Sequence, residues 1–398
     1  MADVRSVEEH VQAVLGLVGA LERETVALLD AVGRALVDDV VATIALPSFD
    51  NSAMDGYAVR SAEVLAVPVT LPVAADLPAA PGTPAGLAPG TVARIMTGAP
   101  MPAGADAVVP VEWTDAGTTR VRIDRPAAFD ANVRHAGEDV AIGDRVLAAG
   151  DEVTPARVAL LAALGHGTVD VRRRPRIGIV ATGSELVEPG QPLPHGGIYD
   201  SNAPLLAALV RRDGGEPVVR GPLVDDPEEG ARLLADVADE VDLLVTSGGI
   251  SAGAYEVVKD VLTPTGTVDF AKVGMQPGMP QGSGTFRGTP VITTPGNPVS
   301  AFVSYELFVR PALRALAGHR DVVRAARRGR LAEPVSQKPG RQQYRRGTWQ
   351  PDGTVVLRGG AGSHLLAALS QSDALIVIPP GDALLGSGTA VDVLYLGD

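Results

Sequence analysis

Residues 175–318 alternate short apolar runs typical of β-strands with stretches typical of helices, and this alternation constrains the fold most strongly. The apolar runs are RIGIVAT (176–182), EPVVRGPLV (216–224), DLLVTS (242–247) and TPVITT (289–294). Helices are predicted near 203–212, 227–238 and 256–262, and a long helix from Pro298 to about Ala317. Such alternation is typical of a parallel sheet with helices on both faces. We therefore predict a doubly wound α/β domain over 175–318.

The segment before this domain predicts a helical region with a β-rich insertion. Ser6 followed by Glu9 is a capping-box signature, and apolar residues then recur at helical spacing at Val11, Val14, Leu15 and Val18. Between 47 and 139 the pattern changes to short β-type runs separated by Pro and Gly. TPARVALLAAL (154–164) is helical again. We therefore predict a β-rich lobe at 47–139, inserted into a helical region formed by 1–46 and 140–174.

After the α/β domain, residues 319–398 predict a small all-β domain. A connector rich in arginine, RDVVRAARRGR (320–330), precedes four runs typical of strands, YRRGTW, TVVLR, ALIVIPP and AVDVLYL. We interpret the charges of the connector as a solvated face or linker, not as an anion site.

Composition limits the class of protein. The 398 residues carry a net charge of −13, so no overall positive field attracts nucleic acid or an anionic membrane surface. The chain has no cysteine, which excludes thiolate catalysis, cysteine-ligated metal sites and disulfides. No stretch resembles a signal peptide or a membrane-spanning helix. We expect a cytoplasmic protein that binds neither nucleic acid nor membrane.

Three predicted strands end in turns that contain glycine, where ligands bind in open α/β sheets. These turns are Thr182-Gly183-Ser184-Glu185, Ser247-Gly248-Gly249 and Pro295-Gly296-Asn297. Backbone N–H groups in such turns, and the helix that follows, favour a phosphate group. Asn297 is placed to cap a helix whose first residue is Pro298. Three such turns in one domain favour a ligand that bears phosphate.

Acidic residues accumulate near the same sheet edge, at Glu185, Asp225, Asp226 and Glu256. Their oxygens suit Mg²⁺, although each acid alone also fits a helix cap or a surface charge. The P-loop, the G-x-G-x-x-G pattern and the HExxH pattern are absent from the sequence. The residues themselves therefore predict a binder of a phosphorylated, nucleotide-like ligand, with acids that suit Mg²⁺, and do not name a reaction.

Eight stretches of the sequence carry specific strings. The most specific are NSAMDGYA within PSFDNSAMDGYAVR (47–60) and PGNPVS within VITTPGNPVSAF (291–302). The other six are RIMTGAPMPAGADAVVPVE (94–112), RHAGEDVAIGD (134–144), IGIVATGSELVEPGQPL (177–193), IYDSN (198–202), LLVTSGGISAGAYEVVKD (243–260) and GSHLLAALSQSDALIVIPPG (362–381). With these strings in family order, the sequence closely resembles one family, the molybdopterin molybdenumtransferases, which include MoeA and the gephyrin E domain.

The resemblance implies a multidomain α/β fold. It consists of a MogA-like doubly wound α/β domain, a helical N-terminal dimerisation region with an inserted β-rich lobe, and a C-terminal β-barrel domain. The implied protein is a homodimer. The implied reaction is Mg²⁺-dependent transfer of molybdenum from molybdate to adenylylated molybdopterin, with release of AMP. A molybdopterin adenylyltransferase and a recipient molybdoenzyme are the implied protein partners.

The resemblance also assigns roles to individual residues. Its implied catalytic residues are Asp55, Thr97, Asp139, Glu185 and Asp225. Its implied metal ligands are Glu185, Asp225 and Glu256. Its implied ligand-binding residues are Ser247, Gly248, Gly249, Ser251, Lys272, Gly296, Asn297, Ser300, Arg341, Arg346 and Ser363.

Two departures from the family pattern stand out. Where the family has K-P-G-K-P, this chain has Gln276-Pro277-Gly278-Met279-Pro280, so that both lysines are missing and only Lys272 lies upstream. In GISAGAYE, Ala254 replaces a family acid and Glu256 is one methylene longer than its counterpart. These changes leave two alternatives to the ordinary enzyme: a diverged paralogue that inserts metal slowly or inserts another oxyanion, and a non-enzymatic scaffold.

Overall fold

The chain crosses between two units that interleave along the sequence. The computed structural model describes residues 4–223, 226–250, 257–265 and 267–397. The first unit contains 1–37, 149–154 and 169–398, and the second contains 38–148 and 155–168. Among the described residues, no helix is long and apolar enough to cross a membrane.

The α-helices are α1 Val7–Leu15, α2 Pro155–Ala163, α3 Asn202–Arg212, α4 Pro227–Ala238, α5 Val257–Leu262, α6 Pro298–Ser304, α7 Arg310–Leu316 and α8 Leu366–Ser370. A π-helical segment, Tyr305–Val309, joins α6 to α7. Short 3-10 helices occupy Leu28–Ala31, Ser61–Val64, Val111–Trp113 and Thr263–Thr265.

The strands, in chain order, are β1 Val4–Arg5, β2 Arg23–Ala27, β3 Val40–Val41, β4 Asn51–Ser52, β5 Gly56–Val59, β6 Val69–Leu77, β7 Val92–Ile95, β8 Ala107–Pro110, β9 Arg120–Ile123, β10 Val133–Arg134, β11 Arg145–Leu147, β12 Thr168–Arg172, β13 Arg176–Thr182 and β14 Leu186–Val187. They continue as β15 Ile198–Tyr199, β16 Glu216–Leu223, β17 Leu243–Ser247, β18 Val268–Val273, β19 Met275–Gln276, β20 Pro280–Phe286, β21 Thr289–Thr294, β22 Ala326–Leu331, β23 Val335–Ser336, β24 Gln342–Trp349, β25 Thr354–Leu357, β26 Ala374–Ile378, β27 Leu384–Leu385 and β28 Ala390–Tyr395.

The main sheet of the first unit has the strand order β1-β18-β20-β21-β17-β13-β16. The four strands β16, β13, β17 and β21 run parallel, and β20 and β18 extend the sheet in antiparallel fashion. Because side chains alternate along a strand, Ile177 and Ile179 pack with α3 and α6 on one face, while Val180 packs with α4 and α5 on the other. The predicted doubly wound α/β domain is confirmed.

The predicted elements of this domain are close to the observed ones, although the domain also contains strands that the sequence did not predict. RIGIVAT forms β13, and the long helix from Pro298 ends at Leu316, one residue before its predicted end, with the π-helical segment inside it. The sequence did not predict β18 and β20 as strands. Strand β20, PQGSGTF, lacks an apolar alternation because neighbouring residues leave no room for a Cβ on its glycines. A Cβ on Gly282 would lie 2.4 Å from the Thr293 hydroxyl and 2.9 Å from the Phe270 ring.

The capping box at the start of α1 is confirmed. The Ser6 hydroxyl accepts the amide of Glu9 at 3.1 Å, and the Glu9 carboxylate accepts the amide of Ser6 at 2.8 Å. The helix ends at Leu15, capped by Gly16, so Val18 lies beyond it.

The C-terminal segment of the first unit closes into a barrel. Its strands pair in the order β24-β25-β22-β28-β26, and β26 pairs again with β24, which closes the ring. The predicted β-barrel domain is confirmed. Strand β22 comes from the arginine-rich connector that was interpreted as a linker: its arginines are exposed, whereas Gly329 and Leu331 face inward.

The second unit holds the predicted lobe together with α2. Its five-stranded sheet has the order β8-β5-β7-β6-β9, around a core that includes Tyr57, Val109 and Ile123. The 50–57 segment contains the two-residue strand β4 and the start of β5. Helix α2 packs through Leu160 and the adjacent Leu164 in a smaller cluster.

Candidate active site

Three turns that follow the parallel strands of the first unit touch one another. A Cβ on Gly248 would lie 2.7 Å from the Thr182 hydroxyl, and a Cβ on Gly296 would lie 3.4 Å from the Cα of Gly248. Gly248 also has a φ of 95°, which side chains other than hydrogen rarely allow. Glycine is therefore required at position 248 for these turns to form one continuous surface.

Asn202, in the first turn of α3, ties two of these turns together. Its Nδ2 donates to the Ser247 hydroxyl at 2.8 Å and to the Gly296 carbonyl at 2.6 Å. The Asp200 carboxylate accepts the amides of Asn202 and Ala203, at 2.9 and 3.1 Å, and so caps α3. Asn202 is the last residue of the string IYDSN (198–202), but the sequence did not predict it as a site residue. Ser247 is buried behind its turn as part of this framework.

A cavity of about 760 Å³ lies against these turns, within the size range of small-molecule sites. Its walls come from the turns, the 275–280 segment and the barrel domain. They are lined by Thr182, Gly183, Glu185, Gly248, Gly249, Ile250, Met275, Gln276, Pro277, Gly278, Met279, Pro280, Pro295, Gly296, Asn297, Ser300, Arg341, Ala361 and Ser363.

Some backbone amides of the turns hold the fold together, and others face the cavity. Those of Gly183 and Gly248 donate to the carbonyls of Leu223 and Thr294, at 3.1 and 2.9 Å, and so hold the turns in place. In the described part of the chain, no hydrogen bond engages the amides of Gly249 and Gly296, and both residues line the cavity. These two N–H groups are therefore donors for an anionic ligand.

Glu185 supplies a carboxylate to the cavity. Its side chain folds against Gly183, where a Cβ would lie 2.7 Å from Glu185 Oε2. The other predicted metal ligands, Asp225 and Glu256, lie outside the described residues, as does Ser251. Among the described residues, no group of three acids or histidines forms a metal site. Asp226 instead caps α4, where its carboxylate accepts the amides of residues 228 and 229.

Arg341 supplies positive charge to the cavity. Of the described lining residues, it alone is a lysine or an arginine. It directly precedes β24, whose pairing with β19 places Gln276 against the barrel. Gln276 and Met279, which replace the family lysines, also line the cavity. Lys272 is exposed on β18 and does not line it.

Hydroxyl and amide groups complete the wall around Arg341. Ser300, Ser363 and Asn297 line the cavity, and the carbonyl of Ser363 accepts the amide of Val299 at 3.0 Å. This bond fixes the barrel loop to the first turn of α6. Asn297 precedes α6 as predicted, but its side chain makes no capping hydrogen bond and is exposed in the cavity wall.

Arg346 braces the barrel loop from behind. Its guanidinium donates to the carbonyls of Gly360 and Gly362, the latter at 3.0 Å, and the residue is only 3% exposed. Burial lowers the pKa of this guanidinium. Arg346 does not line the cavity; it holds the segment that carries Ser363.

The second unit brings two of the predicted catalytic residues into direct contact. The amide and the hydroxyl of Thr97 donate to Asp55 Oδ1 at 2.7 and 2.9 Å. These bonds, the amide first, lower the pKa of Asp55. Asp139 is exposed, and its amide donates to the Leu46 carbonyl at 3.0 Å.

Two of the stretches that resemble the family also bring His135 close to two acids, a cluster that sequence reasoning missed. The His135 ring contacts Asp130 at 2.6 Å and Asp50 at 3.4 Å. The hydrogen bonds with both carboxylates raise the pKa of His135, that with Asp130 first. Asp50 belongs to the 47–60 stretch and His135 to the 134–144 stretch. The membership of both residues in stretches that resemble the family was the only sequence signal for this cluster.

Family models match almost the whole chain. The MoeA N-terminal region, domains I and II, matches residues 5–165. A probable molybdopterin binding domain matches residues 178–315, and the MoeA C-terminal region, domain IV, matches residues 328–396.

Individual relatives match over their full lengths. Molybdopterin molybdenumtransferase 2 of Mycobacterium tuberculosis is 45% identical, over 98% of this chain and 99% of the relative. Molybdopterin molybdenumtransferase of Haemophilus influenzae is 34% identical, over 94% of this chain and 93% of the relative. The crystal structure of the molybdopterin biosynthesis moeA protein from Pyrococcus horikoshii OT3 is similar with a TM-score of 0.86 and 29% identity, over 99% of this chain and 100% of that chain.

Proposed function

The chain belongs to the MoeA family of molybdopterin molybdenumtransferases, and we propose that it is a transferase that inserts molybdenum into molybdopterin during molybdenum cofactor biosynthesis. The observation that carries this proposal is the 45% identity to a relative of that name, over 98% of this chain and 99% of the relative. The match covers both units.

We propose adenylylated molybdopterin and molybdate as the substrates. In the proposed reaction, water cleaves the phosphoanhydride and AMP leaves. Molybdate then forms two bonds to the dithiolene sulfurs and loses one oxide, which leaves as water with the two thiol protons, so that the oxidation state of molybdenum does not change. The amides of Gly249 and Gly296 are donors suited to phosphate oxygens. Arg341 presents a planar set of N–H donors suited to a tetrahedral dianion such as molybdate, and Ser300 and Ser363 supply hydroxyls nearby. The carboxylates of Asp55 and Asp139, both in the second unit, are proposed as catalytic groups.

Mg²⁺ is part of the proposal. Glu185 offers the hard oxygen donor that this ion prefers, and phosphate oxygens of the substrate would complete a site that needs few protein ligands. Asp225 and Glu256 are the further ligands expected from the sequence. When bound, Mg²⁺ neutralises charge on the phosphate oxygens. Glu185, held against Gly183, is the group that positions it.

We also propose a homodimer that works in the cytoplasm, receives its substrate from a molybdopterin adenylyltransferase and passes its product to a molybdoenzyme. The two alternatives, a diverged paralogue and a scaffold, are not favoured by the full-length match to relatives named as transferases. Gln276 and Met279 remain the reason to measure how much molybdate the protein needs.

The test is complementation of a bacterial strain that lacks its own molybdenumtransferase, with nitrate reductase activity measured at low and at high external molybdate. We expect rescue by the wild-type chain at low molybdate. Arg341→Gln should require more molybdate, because it removes the charge that attracts the dianion. Arg232→Gln, an exposed change on α4 that does not line the cavity, is the matched control. No rescue at either level by well-expressed wild-type protein would refute the transferase.

A further inference from the structure

A second cavity, of about 470 Å³, lies at the opposite edge of the main sheet from the candidate active site. Arg174 precedes β13, and Asp213 and Gly214 lie between the end of α3 and the start of β16, so the cavity adjoins the amino ends of these strands. Six arginines line it: Arg174, Arg211, Arg212, Arg310, Arg314 and Arg324. We call it the arginine cavity.

The π-helical segment before α7 helps to shape this cavity. Tyr305 opens that segment and Arg310 follows it, and both reach the same carboxylate: the Tyr305 hydroxyl donates to Asp213 Oδ2 at 2.9 Å and Arg310 Nε to Asp213 Oδ1 at 3.2 Å. Arg212 donates to the same Oδ2 at 2.9 Å and to Glu306 at 2.6 Å. Insertions of this kind in α-helices are often found at functional sites.

Acidic groups in the described part of the chain do not balance these arginines. The cavity is lined by two acids, Asp213 and Glu152, and the fully buried Glu306 lies behind Arg212 and Arg324. His319, buried beside Glu152, adds no charge near neutrality because burial lowers its pKa to about 4. The surplus of positive charge is local, since the chain as a whole carries −13.

Several guanidinium donors remain unused. Each guanidinium has about five N–H donors. Arg310, whose side chain is 11% exposed, uses Nε toward Asp213 and Nη1 toward the Val322 carbonyl. Within the described ranges, the Arg174 guanidinium donates one hydrogen bond, to the Gly214 carbonyl at 3.3 Å. Among the described residues, no hydrogen bond or ion pair engages the side chain of Arg211, although it lines the cavity.

We propose that the arginine cavity binds a small anion that carries phosphoryl groups, at a site separate from the candidate active site. Planar guanidinium groups bind phosphate oxygens in pairs, and the partly buried setting strengthens each contact. The volume suits a ligand of the size of pyrophosphate or larger. The mutual repulsion of the arginines is relieved when such an anion is bound. The proposal does not depend on the reaction proposed above.

The test is isothermal titration calorimetry of the full chain with pyrophosphate, at low salt and without Mg²⁺. We expect binding by the wild type at up to about 1 mM pyrophosphate. The double variant Arg174→Gln and Arg211→Gln should bind about tenfold or more weakly, because it removes two charge-assisted contacts. These two side chains make no ion pair among the described residues, so thermal unfolding should show a folded variant.

Two further variants assign the signal to one place. Arg232→Gln removes one exposed positive charge from α4 and should leave the affinity for pyrophosphate unchanged. Arg341→Gln, in the candidate active site, should remove only a second, separate binding event. The proposal is overturned if the wild type does not bind, if Arg341→Gln abolishes all binding, or if Arg232→Gln weakens it as much as the double variant does.

Discussion

At the scale of single residues, Asp55 shows how the local backbone prepares a carboxylate. One of its oxygens accepts two hydrogen bonds from Thr97, and both favour the ionised form. The pKa of Asp55 in the folded chain is therefore below its ordinary value of 3.8. The contribution of these bonds to folding is fully present above the unfolded pKa and is lost as the pH falls through the folded pKa.

Thr97→Val tests this arrangement, because it removes the hydroxyl bond and keeps the amide bond. We expect the pKa of Asp55 to rise part of the way toward 3.8, since the amide is the larger cause of the shift. A carboxyl titration by NMR measures it, and the acid limb of transferase activity should move to higher pH with it. Thr91→Val is the control, because the Thr91 hydroxyl donates to the Ala88 carbonyl and not to a carboxylate. An unchanged Asp55 titration in Thr97→Val would contradict the expectation.

Residue roles were predictable only where a specific string carried them. The resemblance to the family supplied Asp55 and Thr97, which lie in two of its strings. Neither the resemblance nor the residue pattern predicted a role for Asn202, because an asparagine at the start of a helix has many possible partners. What makes Asn202 important is the position of Ser247 and Gly296, which are distant in sequence and adjacent only in the folded sheet.

At the scale of elements, the candidate active site depends on turns being held in register by a helix. Asn202 projects from α3 to bond the turn after β17 and the turn after β21. Its own position is fixed by the Asp200 cap. The bonds of Asn202 therefore join the turn that carries Gly249 to the turn that carries Gly296.

Asn202→Ala should separate these turns. We expect a loss of about 1–3 kcal/mol in the free energy of unfolding, because the buried Ser247 hydroxyl and the Gly296 carbonyl lose a donor. The KM for the nucleotide substrate should rise several-fold. Chemical denaturation and steady-state kinetics measure the two effects. Asn202→Asp keeps the size of the side chain but cannot donate these hydrogen bonds, so it should have the same two effects as Asn202→Ala. Wild-type stability and wild-type KM in both variants would show that the hydrogen bonds of Asn202 are unimportant.

Elements with a regular apolar period were predicted within a few residues, and the irregular ones were not. Strand β13 alternates apolar residues between two covered faces, so its limits could be read directly. Strand β20 is glycine-rich because Phe270 and Thr293 occupy the space of a side chain at Gly282, and the backbone of Thr267 occupies it at Gly284. Strand β22 was not predicted because its exposed arginines outnumber its inward-facing residues, Gly329 and Leu331, and leave no apolar alternation in the sequence.

At the scale of the whole molecule, each unit has its own core. Ile95 is fully buried in the second unit and Leu206 in the first, and their clusters share no residue. Core packing therefore stabilises the two units separately. The uneven distribution of charge is also a property of the whole chain, since an acidic molecule keeps arginines at two separate cavities.

A matched pair of substitutions tests the independence of the cores. Ile95→Ala and Leu206→Ala should each cost about 2–5 kcal/mol, because each leaves a cavity in a close-packed interior. We expect differential scanning calorimetry to resolve more than one transition, with each variant lowering only the transition of its own unit. A single transition that both variants shift equally would mean that the units unfold as one.

The bond between the Val299 amide and the Ser363 carbonyl has a consequence for synthesis of the chain. A ribosome releases the turns of the α/β domain long before it releases Arg341 and Ser363, which form the remaining wall of the cavity. The sheet edge therefore stays open on one side until the barrel residues have been made. A chain that stops short of the barrel lacks Arg341 and Ser363 and cannot enclose an anion there, so the barrel determines when the site first exists.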